Sequence, residues 1–240
     1  MYLYSLYVDP IYVFILIPTM ILSIWASINV NRTFEKYSKV RSSTGMTGAD
    51  AAGRVLRANG VYDVKIDRVR GKLTDHYDPR NNTIYLSDAV YDNASCAAIG
   101  VAAHEAGHAV QHAKKYLPIK IRAAIVPITN VGSRLAIPLI LLGIIMAGMA
   151  EEYIAIAYVG VICFSLSTVF QLVTLPTEFN ASRRAISTIE SSGLLSRDEQ
   201  SGAKRVLTAA ALTYVAALAV SLVQLLRLLL IVGGSSRRRR

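Results

Sequence analysis

Residues 10–31, "PIYVFILIPTMILSIWASINVN", carry no charge, and neither do residues 153–177. Each run exceeds the roughly 20 residues that a helix needs to cross the hydrocarbon core of a bilayer. Hydrophobic residues make up 53% of the chain and charged ones only 18%, below the quarter or so usual in soluble domains. The runs therefore indicate a membrane protein. Leu135–Ala150 is a third charge-free stretch, marginal in length unless the Arg134 head reaches the interface while its stem stays in lipid. Val206–Leu226 is a fourth, followed by Arg227 and another apolar patch. The first run is expected to stay in place as an anchor. Asp9 is the only charge before Arg32, whereas a cleaved signal peptide opens on a basic region.

A net charge of +10 could point to nucleic acid, but its distribution points to a membrane. Sixteen Lys and Arg fall within 32–134 and five within 178–205, while Glu151–Glu152 between them has none nearby. That alternation follows the positive-inside rule, so orientation and anionic lipid explain the excess and no nucleic acid partner is expected. It puts the N-terminus outside, 31–120 and 177–205 in the cytosol, and Glu151–Glu152 outside. Four spans would leave the terminal "RRRR" outside, so either the last segment does not fully cross or the tail departs from the rule. Cys96 and Cys163 form no disulfide framework or Cys-based metal motif and read as small buried residues.

The chain then divides into a first transmembrane helix (1–31), a cytosolic domain (32–118), a transmembrane hairpin (119–176), a cytosolic segment (177–205), a fourth transmembrane helix (206–232) and a basic tail (233–240). Within the cytosolic domain, "TGADAAGRVLRANG" has apolar positions at Ala51, Ala52, Val55 and Leu56, a Thr47 cap and an Asn59-Gly60 stop, which predicts one amphipathic helix. "VYDVKIDRV" alternates and reads as a strand, "RGKLTDHYDPRNN" as a loop, and "TIYLS" as a second strand. "DNASCAAIGVAAHEAGHAVQHAKK" opens on the caps Asn93 and Ser95 and runs as a helix. Its residues are mostly small, so close neighbours are expected.

Three of the four histidines, His104, His108 and His112, lie four residues apart on that helix. His104-Glu105-Ala106-Gly107-His108 is H-E-x-x-H. Residues four apart share a helix face, so two imidazoles can ligate one zinc ion. Glu105, about 100° around the helix, can take a proton from the attacking water. A histidine-bearing core helix is the bland alternative, but burying His, Glu and His together without a metal is costly. A catalytic zinc usually has three protein ligands. His112 lies too near in sequence to serve, which leaves it a supporting or solvated role. His76, in the loop, is either solvated or a transition-state donor. Glu151 and Glu152 lie one span away, on the wrong side, whereas Glu178 lies two spans away and back on the right one.

Together, "DHYDP", "LSDAVY", "VAAHEAGHAVQH" and "LPTEFNASRRA" resemble the YugP-type neutral zinc metallopeptidases of prokaryotic membranes, distant relatives of the HtpX and Ste24 proteases. The resemblance covers nearly the whole chain. It implies an α-helical multi-pass membrane protein with a small α+β zincin-like (gluzincin) catalytic domain. One Zn2+ per chain would sit on His104, His108 and Glu178, with Glu105 as the general base. The related motif is Glu-x-x-x-Asp, and Ser182 stands here where the aspartate would be, so support for a zinc-binding histidine would have to come from Ser182. Arg183 or Arg184 could stabilise an oxyanion, or both could be interfacial charges.

The resulting expectation is a zinc metalloendopeptidase at the cytosolic membrane face, acting on membrane or unfolded polypeptides. The alternative is a membrane scaffold or regulator with a structural or dormant zinc site. A metal transporter fits less well, because the first and third spans carry no ionisable residue. The strand around Ile84, Tyr85 and Leu86 leads into the metal helix and is expected to be an edge that pairs with substrate backbone.

Overall fold

The computed structural model describes residues 10–237. The elements are α1 (Pro10–Ser38), α2 (Gly48–Ala58), β1 (Lys65–Val69), β2 (His76–Asp78), β3 (Thr83–Ser87), α3 (Cys96–Ala113), α4 (Leu117–Met146), α5 (Ile154–Ser191) and α6 (Arg197–Arg237), with a short 3-10 turn at Glu151–Tyr153 between α4 and α5. They form two units. One comprises residues up to 25, 121–174 and those from 214 on; the other comprises 26–120 and 175–213.

In the first unit, the decisive property is apolar length. Among the described residues, three helices are long and apolar enough to cross a membrane: Leu117–Met146, Glu151–Ser191 and Arg197–Gly234. Most of the stretch expected to be marginal at Leu135–Ala150 belongs, as far as Met146, to the 30-residue α4, which begins well before Arg134 and carries Pro127 and Pro138 inside it. The run expected to be a first span is helical in α1 and leaves Phe14, Ile17, Ile21 and Trp25 exposed, although it is not one of the three. Residues 1–9 of that expected span, and 238–240 of the expected tail, lie outside the described residues. Large apolar side chains such as Leu141, Ile145, Ile162 and Leu230 also face outward, as lipid-facing positions do. The helices pack through small residues: a Cβ at Gly160 would lie 2.7 Å from the Ala136 carbonyl oxygen, and one at Gly143 would collide with Ala157. A hydroxyl pair, Thr168–Ser221 at 2.7 Å, joins α5 to α6.

The second unit is built around α3. Thr47 and Asp50 close a reciprocal capping box at the start of α2, and Asn59 caps its end ahead of Gly60 at φ +74°. The apolar face of α2 (Ala51, Ala52, Val55, Leu56) shares one core with Ala98, Ala102 and Val110 of α3. The sheet has the order β1-β3-β2, with β1 parallel and β2 antiparallel to β3. Two expectations change here. The segment read wholly as a loop contains β2. There Asp78 accepts from the Arg80 N–H at 3.0 Å, and Asn82 takes φ +54°, so the turn residues fold the chain back in register, His76 against Tyr85 and Asp78 against Thr83. Consequently the strand of Ile84, Tyr85 and Leu86 is central and paired on both sides, and cannot accept an added strand. Ile84 and Leu86 are fully buried. Asp75 secures the return by accepting from the Ser87 N–H at 2.7 Å and its hydroxyl at 3.0 Å; burial pushes this carboxyl up, and the Ser87 bonds oppose that shift.

Candidate metal centre

Small residues bring the centre together. Ser95 caps α3, its hydroxyl accepting from the Ala98 N–H at 3.2 Å. From there the helix is buried almost to its end. A Cβ at Gly107 would lie 2.8 Å from the Ala181 carbonyl oxygen, and one at Gly100 3.3 Å from the Ala203 Cβ. Gly107 thus lets α3 meet α5 backbone to backbone. Because Glu178 and Ser182 flank Ala181 on α5, that approach carries both of them to the histidines.

Three ligand-type atoms converge. His104 Nε2 lies 3.2 Å from Glu178 Oε2, His108 Nε2 lies 3.3 Å from the same oxygen, and the two Nε2 atoms are 3.1 Å apart. Four ligands held tetrahedrally at about 2.0–2.1 Å from zinc stand about 3.3–3.4 Å from one another. The triangle therefore has very nearly the size that a tetrahedral zinc ion requires. Its donor set, two imidazoles and a carboxylate, suits zinc as well. The Glu178 side chain is 3% exposed and those of His104 and His108 are 13% and 11%. Two nitrogens and an oxygen so close and so dry repel unless a cation or a proton sits among them. The residues fit the metal.

Both outer nitrogens are held. His104 Nδ1 lies 3.1 Å from Ser182 Oγ, and His108 Nδ1 lies 3.1 Å from Gln111 Oε1. Gln111 is fully buried, and its Nε2 donates to the Thr177 carbonyl at 2.8 Å and to Asn180 Oδ1 at 3.0 Å. The Thr177 carbonyl can only accept, so the amide nitrogen must face it and the amide oxygen must face His108. That orientation puts the His108 proton on Nδ1 and leaves the Nε2 lone pair directed at the cluster. Gln111 and Asn180 were not foreseen from the sequence. A polar residue three positions beyond a ligating histidine, on the same helix face, was the available signal for Gln111. Glu105 is 9% exposed, and its side chain makes no hydrogen bond or ion pair with another described residue, so its carboxylate is committed to no neighbour.

The remaining candidates lie outside the triangle. His112 is exposed, with Nδ1 3.3 Å from Tyr77 Oη. Tyr77 already donates to Asn82 at 2.7 Å, so it accepts from His112. Burial and the nearby Asp63 and Asp78 push the Tyr77 phenol up to about 12, which keeps it protonated for that donation. His76 is exposed on β2, its Nδ1 2.8 Å from the Thr74 carbonyl and its ring stacked on Tyr85 at 5.1 Å. Arg184 Nε donates to Asn180 Oδ1 at 2.8 Å, whereas Arg183 is exposed.

The chain was compared with known proteins. A family model described as "Putative neutral zinc metallopeptidase" matches residues 12–233. "Putative membrane protease YugP" of Bacillus subtilis (strain 168) is 48% identical over 221 residues, which covers 92% of this chain and 96% of that protein. No solved structure matches. With a family model matched over nearly its full length and a relative this similar end to end, the chain belongs to the neutral zinc metallopeptidase family that the model describes.

Proposed function

We propose that the protein is a multi-pass membrane zinc endopeptidase that hydrolyses peptide bonds at the cytosolic face of the membrane. The observation that carries this reading is the triangle of His104 Nε2, His108 Nε2 and Glu178 Oε2, with sides of 3.1–3.3 Å, beside an uncommitted Glu105. Zinc on these three atoms supplies Lewis acidity, polarising the scissile carbonyl and making water more acidic. Glu105 takes the proton that water gives up as it attacks the carbonyl carbon, and hands it to the nitrogen of the leaving amine. Ser182 and Gln111 keep each imidazole turned with its lone pair inward. A scaffold with a purely structural metal would have no use for a carboxylate left without a side-chain partner next to a ligand-type histidine. The cytosolic side follows from the sixteen Lys and Arg of 32–134. Glu178 follows directly on the charge-free run 153–177 within α5, and a residue at the end of an apolar run suits membrane or unfolded polypeptides as substrates.

The test uses detergent-purified protein. About one zinc per chain is expected by metal analysis, together with chelator-sensitive digestion of casein or of a membrane protein. Glu105→Gln should keep zinc and fold while losing about 100-fold or more in turnover, because an amide cannot accept the proton. Unchanged digestion by that variant would sink the mechanism.

A further inference from the structure

An ionisable side chain in the middle of a membrane helix is rare, and it almost always faces other protein or water. Arg134 is such a residue. On α4 it stands twelve residues after Arg122 and twelve before the helix ends at Met146, about 18 Å of helix on either side. A hydrocarbon core about 30 Å thick, centred on this stretch, has position 134 near its middle. The neighbouring helix agrees on that depth. A Cβ at Gly132 would lie 3.1 Å from the Cys163 carbonyl oxygen, and Cys163 stands two residues from the midpoint of the charge-free run 153–177.

Arg134 nevertheless faces outward. It is exposed, and its guanidinium pairs with no described residue. Asn130, one turn earlier on the same face, is exposed too, and its side-chain amide has no partner among the described residues. Ile137 and Leu141 continue that outward face. Polar groups turned inward are met: the buried Thr168 hydroxyl bonds Ser221 at 2.7 Å. Pro138 adds to the demand, because it has no N–H and the Arg134 carbonyl loses its ordinary helical donor. Charge and depth together select the occupant. A phospholipid phosphate lies beyond the hydrocarbon, roughly 15 Å or more from its middle, whereas arginines that reach the interface sit near helix ends. Side chains also lean toward the N-terminus of their helix, which turns Arg134 away from the Glu151–Glu152 turn. A second copy of the chain brings no carboxylate to this depth, since residues 10–31, 121–150, 153–177 and 206–240 contain no Asp or Glu. We propose that this face of α4 binds a membrane-spanning helix of a different protein that carries a carboxylate near its midpoint. The acid pairs with Arg134, and Asn130 bonds a polar group one turn away, as amides do across membrane helices. The proposal rests on the membrane reading and is independent of the chemistry at the metal centre.

Designed membrane-spanning peptides test it. Full-length protein and Leu/Ala-rich peptides with one central Glu, Leu or Lys carry donor and acceptor dyes in phosphatidylcholine vesicles, and resonance energy transfer gives each association constant. The Glu peptide should associate about fivefold more tightly than the Leu peptide, within the range of polar contacts between helices in lipid. Moving its Glu two turns toward one end should remove the gain. Arg134→Leu should erase the preference and Arg134→Glu should transfer it to the Lys peptide, with zinc content unchanged in both. Equal association of the Glu and Leu peptides, a preference that survives Arg134→Leu, or one that ignores the depth of the Glu overturns the proposal. Without a peptide preference, self-association that depends on Arg134 assigns the face to a second copy, and enrichment of spin-labelled phosphatidylglycerol that depends on Arg134 assigns it to lipid; either also overturns the proposal. Hydrolysis is not measured here, so a negative result leaves the peptidase reading to its own chelator and Glu105→Gln experiments.

Discussion

Gln111 makes three bonds at once, one to His108 and two to α5. Removing its oxygen leaves the His108 Nδ1–H without a fixed acceptor. Gln111→Leu, close in size and unable to accept, should lower zinc affinity by about 10–100-fold, the usual cost of losing the partner of a metal-bound histidine. Gln111→Glu should restore part of it, because a carboxylate oxygen still accepts from Nδ1–H even as it repels the Thr177 carbonyl. Competition with a graded series of chelators reads the affinity directly, and wild-type affinity in the Leu variant would show that Gln111 only packs. The convergence of His104 and His108 was legible in the sequence because H-E-x-x-H states its own geometry: positions four apart on a helix share a face. Ser182 came into view only through the resemblance to the HtpX and Ste24 relatives, whose motif has an aspartate at its place. Gln111 and Asn180 were not, because nothing local says that a side chain on α3 will reach a carbonyl 66 residues further along the chain. His76 and His112 carried chemistry by residue type alone, and each has an ordinary partner elsewhere.

Between elements, contact replaces spacing as the determinant. The glycine in the fourth position of the motif has a packing reason, since its Cα faces the Ala181 carbonyl. Gly107→Ala would bring a methyl to 2.8 Å from that oxygen, closer than a methyl group can sit, and the oxygen belongs to the backbone and cannot swing aside. The helices must part by some tenths of an ångström, drawing Glu178 and Ser182 off the histidines together. Overpacking of this kind costs about 1–3 kcal/mol. The variant should therefore lose several degrees in Tm and most of its zinc, while Ala106→Gly, its neighbour in the motif, should lose stability through helix propensity and cavity alone and keep zinc. Equal zinc retention in both would mean that the close approach does not position the ligands. The elements themselves were readable: the capping box of α2, the Ser95 cap of α3 and the strand at Thr83–Ser87 all follow from local patterns. The role of that strand was not. Whether a strand is central or an edge depends on which partners return to it, and β2 is only three residues long, inside a segment dominated by turn residues. Full burial of Ile84 and Leu86, with Thr83 and Ser87 buried beside them, is the mark of a central strand, and it appears only once the sheet is assembled.

At the scale of the whole chain, the centre depends on residues 74 positions apart, joined through two long apolar helices. The third ligand is the sharpest test of that organisation. Three acidic residues lie between the end of α3 and Arg183 of α5: Glu151, Glu152 and Glu178. Only Glu178 stands within ligand distance of the histidines, whereas Glu151 and Glu152 are exposed in the turn between α4 and α5. Removing the Glu178 carboxylate leaves two imidazoles, too few to hold zinc firmly, and takes away the negative charge that offsets the cation. Glu178→Ala should therefore lose most of its zinc, measured by metal analysis after gel filtration, whereas Glu151→Ala and Glu152→Ala should keep it. The membrane reading makes a separate demand on the same residues: if the helix pair containing Glu151 and Glu152 crosses and returns, the turn must lie on the side opposite the metal centre. Single cysteines placed at Arg70, Glu152 and Glu190, in a background without Cys96 and Cys163, can be tested with an impermeant thiol reagent on intact cells. Glu152→Cys should react, while Arg70→Cys and Glu190→Cys should react only after the membrane is opened. If position 152 is protected along with 70 and 190, α4 and α5 do not carry the chain across and back, and the cytosolic location of the site falls even if Glu178 holds zinc.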